Sequence, residues 1–224
     1  MTKSSPAHAA PSRPWFVALV VLGVVTAGGL SIAAPVQGSL GAFTAGITNT
    51  GNTTGTGTIV MQEQNAAGTV TCTSTDAGLT GNDINTDASL CSTVDQYGGT
   101  ANPLVPGASV ATTMTFRNTG TVTATTFTVT PGACTQAAAG GTSGSATDLC
   151  AKLTVAITKT VAGVTTAVGS ATAAALASGG ALGVGSLAAG AALSITVTVT
   201  LSSSAGNTYQ GLTASQPMVW QFTT

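Results

Sequence analysis

Nine consecutive residues near the carboxy terminus alternate without a fault: Leu193, Ile195, Val197, Val199 and Leu201 are apolar, and Ser194, Thr196, Thr198 and Thr200 carry hydroxyls. Successive side chains of a β-strand point to opposite faces, so such a run buries one face and wets the other. The same period recurs in 109–117, where Val110, Thr112, Met114 and Phe116 alternate with polar or small neighbours, and in 218–222, where Met218, Trp220 and Phe222 oppose Val219 and Gln221.

Weaker strand signals surround these three. Residues 58–63 read as a short strand with Ile59 and Met61 on one face and Val60 on the other, and Val70 and Cys72 share a second. The Asn118-Thr119-Gly120-Thr121 turn predicts a hairpin between 109–117 and a return strand, 122–130, with Phe127 and Val129 inward. Leu153, Val155 and Ile157 define another strand, continued more weakly through Val161 and Val164, and Ala171 to Ala177 supports a helical turn or two before Ser178-Gly179-Gly180. Six to nine strands, Gly/Pro/Asn turns and no long amphipathic helix predict an all-β fold, an antiparallel β-sandwich with jelly-roll or Greek-key-like connections. A barrel is the alternative.

A different pattern precedes the strands. Residues 15–34 are almost all apolar or small and follow a segment whose cationic side chains are Lys3 and Arg13, the order of an export signal. Ser39 and Gly41 supply the small pair a signal peptidase accepts, placing cleavage between Gly41 and Ala42; Ser31 and Ala33 are a second pair, cutting before Ala34. The competing reading is an uncleaved anchor, the one way this chain would hold a membrane. The expected organisation is a signal peptide at 1–41, a mature amino-terminal segment at 42–57 and a sandwich domain at 58–224. The expected location is secreted, at the cell surface or in the extracellular matrix.

Charge and histidine content narrow the chemistry. Beyond residue 41, Arg117, Lys152 and Lys159 face six carboxylates, which leaves no basic footprint for nucleic acid. The only histidine, His8, precedes the apolar run, so a mature chain has none for a Ser-His-Asp, Cys-His or common zinc hydrolase site. No catalytic residue and no cofactor is expected. Cys72, Cys91, Cys134 and Cys150 lie on the exported side, where an even count favours disulfides; of three connectivities the two local ones, Cys72 with Cys91 and Cys134 with Cys150, are expected. A four-cysteine zinc knot would need CxxC spacing, which is absent.

Two constellations are weaker. Asp83, Asn85 and Asp87 occupy positions one, three and five of a calcium loop, but Ala88 and Val94 replace the required glycine and glutamate, so a plain Asx-rich loop is the better reading. Phe116, Phe127, Tyr209 and Trp220 have core spacing, with a sugar-stacking platform the minority reading.

Three segments together resemble a known family. The run Thr50-Gly51-Asn52-Thr53-Thr54-Gly55-Thr56-Gly57-Thr58-Ile59-Val60-Met61, after an apolar leader and the Ala42-Phe43 step, resembles the start of the TasA/camelysin family of exported Gram-positive proteins. Asn118-Thr119-Gly120-Thr121 and the ending from Ser204 to Phe222 are similar to its actinobacterial branch; residues 63–107 are unmatched. The resemblance implies a jelly-roll-like sandwich, released by a dedicated signal peptidase, that polymerises with itself head-to-tail into biofilm-matrix fibres by donor-strand complementation. The protease activity ascribed to camelysin is not carried over, because HExxH and a mature histidine are missing.

Residues independent of the resemblance fit that expectation. Ala42, Phe43, Ala45 and Ile47 form a candidate donor strand with the latter three on one face, joined to the domain by a Thr/Gly/Asn link. Its simpler use is as an edge strand of its own subunit. The second functional expectation is a monomeric cell-surface binding module using the 74–99 loop.

Overall fold

The computed structural model describes residues 53–75, 91–99, 103–141 and 143–224. These fall in one compact unit, Thr53–Thr224. The leader, the Gly41/Ala42 site, the candidate donor residues Ala42, Phe43, Ala45 and Ile47, and the Asp83, Asn85 and Asp87 trio lie outside the described residues.

Eleven strands are described: β1 (Met61–Asn65), β2 (Thr71–Thr73), β3 (Ser109–Asn118), β4 (Ala124–Pro131), β5 (Thr135–Ala138), β6 (Leu153–Val161), β7 (Val164–Thr172), β8 (Leu182–Leu187), β9 (Ala192–Leu201), β10 (Leu212–Ser215) and β11 (Met218–Thr223). Single helical turns α1 (Leu149–Lys152) and α2 (Ala173–Leu176) punctuate them. The larger sheet runs β2-β1-β3-β9-β6-β7, a smaller one β11-β4-β8, and β10 pairs with β5 in a separate ribbon. All pairs are antiparallel.

The faultless alternation of β9 places it in the middle of the larger sheet, where both neighbours demand strict register. Leu193 sits opposite Phe116 and Ile195 opposite Met114 on β3; Val197 and Val199 face Ile157 and Val155 on β6. These side chains and Phe127, Val129, Val184 and Leu187 of the smaller sheet form one buried core. Each large apolar side chain removed from water contributes about 1.5–3 kcal/mol. On the opposite face hydroxyls satisfy one another across strands, Thr113 with Thr196 at 2.9 Å and Ser109 with Thr200 at 2.8 Å.

The predicted hairpin after residue 117 is corrected: β3 belongs to the larger sheet and β4 to the smaller one, so the 118–121 turn is a corner between layers. Asn118 is the reason. Its buried side chain donates from Nδ2 to the carbonyls of Val122 at 2.8 Å and Leu187 at 3.1 Å, while Oδ1 accepts from the Gly120 amide at 3.0 Å. The turn is thereby bound to the β8–β9 connection, which crosses between the same two layers. At Gly120 a Cβ would stand 2.3 Å from the Thr58 carbonyl oxygen, so only glycine lets the incoming chain pass so close.

Other expectations shift. The first strand begins at Met61 and runs to Asn65, later than the predicted 58–63. The continuation through Val161 and Val164 is a hairpin between β6 and β7. The Cys134–Cys150 interval, for which no strand is expected above, contains β5 and the start of α1, and β8 and β10 are likewise strands without a counterpart among the expected ones.

Candidate assembly edge and adjoining groove

The last strand, β11, is the edge of the smaller sheet. Its register with β4 runs without a shift from Met218 opposite Pro131 to Thr223 opposite Thr126. One step before, the Gly132 amide donates to the Pro217 carbonyl at 2.8 Å. Bonded and non-bonded pairs alternate along an antiparallel ladder, so Val219, Gln221 and Thr223 are the residues that bond to β4. The amides and carbonyls of Met218, Trp220 and Phe222 point the other way. Among the described residues no strand pairs with that side.

Aromatic packing holds the strand in place. Trp220 lies 4.5 Å from Phe116 and 5.7 Å from Phe127 between ring centroids, and Phe222 meets Phe127 edge-on at 4.7 Å. These residues act as core, as their spacing predicts. Tyr209 instead stands on a one-turn 3₁₀ helix, half-buried, its hydroxyl donating to Asp148 Oδ1 at 2.6 Å, a bond that pushes its phenol above the ordinary range.

Between β1 and β11 the two layers are bridged by a piece of chain that belongs to neither. Glu63, only 8% exposed, projects from β1 and accepts from Gln96 Nε2 at 2.9 Å. Gln96 Oε1 in turn accepts from Trp220 Nε1 at 3.3 Å. Burial pushes the Glu63 carboxyl up from its ordinary value, partly opposed by the Gln96 bond. The neighbouring Tyr97 hydroxyl donates to Gln216 Oε1, whose amide donates to the carbonyls of Gly132 at 2.8 Å and Ala173 at 2.9 Å. Burial raises the Tyr97 phenol strongly.

The segment 91–99 that carries Gln96 and Tyr97 is fastened by Cys72–Cys91, with Cα atoms 5.7 Å apart, and by the buried Val94. Cys134–Cys150, at 6.0 Å, pins β5 to α1, so both pairings are the local ones. The same segment walls a groove of about 1030 Å³, lined also by Leu104, Val110, Leu153, Leu201 and Leu212, and reaching Met218 at the start of β11.

No protein-family model and no curated protein matches this chain. Among the described residues there is no group of three or more His, Cys, Asp or Glu placed to hold a metal, and no helix long and apolar enough to cross a membrane. Glu63 and Gln96 escaped the sequence reading. The signal for Glu63 was present: it ends the expected 58–63 strand and shares the parity of Ile59 and Met61, which turns it to their face.

Proposed function

We propose that this chain is an exported, non-enzymatic subunit of an extracellular fibre, assembled head-to-tail by donation of the segment carrying Ala42, Phe43, Ala45 and Ile47 to the free edge of β11 in the next copy. The observation that carries the reading is that edge itself. It is regular and contains no proline within the strand and no charged residue, so it lacks two of the features that ordinarily block added strands. An added strand would gain main-chain hydrogen bonds from Met218, Trp220 and Phe222, and the groove at the start of β11 offers Leu104, Val110, Leu153 and Leu212 to Phe43 and Ile47. Head-to-tail contacts extend into filaments when the rotation between copies does not close a ring. The TasA/camelysin resemblance points the same way, as do disulfides suited to an oxidising compartment.

The test is electron microscopy and sedimentation of three exported proteins. The full mature chain is expected to form filaments; a chain without residues 42–49 and a Val219→Lys variant, which charges the edge at a side chain 53% exposed, are expected to stay monomeric. Equal polymerisation by the shortened chain would rule out the amino-terminal donor. Scattered globules from all three would favour the second reading, a binding module at the cell surface, for which the groove beside 91–99 is the supporting observation.

A further inference from the structure

Through Gln96, segment 91–99 bridges β1 of the larger sheet and β11, an edge strand of the smaller one. We infer that it is a pH-responsive strap: Gln96, bonded at once to Glu63 and Trp220, holds it over the seam in acid, and hydration of the Glu63 carboxylate releases it towards neutral pH, uncovering β11. The assignment of β11 as the accepting edge rests on the function proposed above; the strap itself does not.

The geometry supplies both halves of a latch. Among the described residues Gln96 is the one side chain that bonds to both layers at this flank, and Trp220, which it holds, sits on β11, whose outer side pairs with no described strand. Glu63 is enclosed and, among the described residues, its carboxyl has one hydrogen-bond partner, whereas an ionised carboxylate has room for several and is strongly hydrated in water. The closed strap therefore favours the neutral acid, and the open strap the ion. Burial raising the carboxyl above 4.5 gives the sign: closure is strongest below that value and weakens as pH climbs through the raised one.

Among the described residues ionisable neighbours are few. Asp95 and Tyr97 lie on the strap, Asp95 Oδ1 accepting from the Tyr97 amide at 2.9 Å, and Arg117 projects from the outer face of β3. β2 offers only the disulfide-bonded Cys72, and β11 has no ionisable side chain.

Trp220 makes the strap visible. The chain's other tryptophan is Trp15, so in the exported protein, or in Trp15→Phe if the leader is retained, fluorescence quenching reports on the seam alone. Purified monomer is examined by acrylamide quenching and by amide exchange at Met218, Trp220 and Phe222 across pH 4 to 8, roughly the range in which a buried carboxyl titrates. The expected result is a rise in both, with the open fraction growing up to about tenfold per pH unit between the ordinary and the raised value. Glu63→Gln, which keeps the acceptor without the charge, is expected to stay closed throughout; Gln96→Ala is expected to be open throughout. A wild-type monomer with no pH step, or a Glu63→Gln monomer with the same step, overturns the strap. If the step is found and filaments form at one rate on both sides of it, gating of assembly is overturned; if the step is found and no filaments form at any pH, the fibre reading fails and the strap stands.

Discussion

The two flanks of this sandwich are finished differently. On one, β7 lies against β8, and the sheets are joined by their own side chains: Lys159 of β6 donates to the Val184 carbonyl of β8, and Leu182 lies across Gly169, where a Cβ would come within 2.7 Å of it. Both edge strands on that side carry register shifts, in β6–β7 after Ile157 and in β4–β8 between Ala124 and Thr128. Such irregularities twist an edge away from pairing. On the other flank β11 is regular, and the seam is bridged by Gln96 from a separate segment. Closure by strand side chains leaves nothing to displace, whereas closure by a tethered segment leaves an edge that can be exposed without unfolding a sheet.

The largest effect that would sharpen this contrast comes from the disulfides. Each closes a short loop, with separations of 19 and 16 residues, and removal of either by paired Cys→Ala substitution is expected to lower stability by about 3 kcal/mol in chemical denaturation. The consequences should diverge locally. Loss of Cys72–Cys91 frees the strap and should speed amide exchange at Trp220 and protease cleavage within 91–99; loss of Cys134–Cys150 should leave both unchanged beyond the global effect. If both pairs speed exchange at Trp220 equally after correction for global stability, the strap is not a separate unit.

A smaller effect probes the closed flank. Lys159→Met keeps most of the apolar stem and removes the donor to Val184, leaving that carbonyl without this bond. A loss of roughly 1 kcal/mol is expected, with faster exchange in β8 and none in β11. Faster exchange in β11 would mean the two flanks are coupled, and the comparison would fail.

Much of this architecture is legible in the residues, and the gaps have physical causes. Strands with one face in the core and uninterrupted period two, β3, β9 and β11, are found from the sequence because burial enforces the alternation. β8, Leu-Gly-Val-Gly-Ser-Leu, and β10, Leu-Thr-Ala-Ser, are not, because glycine and alanine blur the pattern and pairing with a distant strand decides their conformation. The corner at Asn118 reads as a hairpin turn because Asn-Thr-Gly serves either geometry; only the distant Leu187 carbonyl tells them apart. The β11 edge follows from strand order, which no local pattern encodes. Glu63 could have been found from parity, and Gln96 could not, since its role exists only where two layers meet.

The smallest predicted effect concerns the tip of the closed flank. β6 and β7 are joined by Ala162 and Gly163, with φ of 48° and 82°, a two-residue connection whose twist matches the strands. Glycine tolerates this region; alanine pays a steric penalty through its Cβ, and asparagine reduces it by local hydrogen bonding. Ala162→Asn is therefore expected to raise stability by about 0.5–1 kcal/mol, read as a higher denaturation midpoint with unchanged slope. Because the hairpin tip is remote in register from Glu63 and Trp220, the pH step of the strap should not move. Stabilisation with an unchanged step would show that tightening one flank leaves the other free to open; a step displaced towards higher pH would mean that the hairpin and the strap share one cooperative unit, and the difference between the flanks would be one of degree.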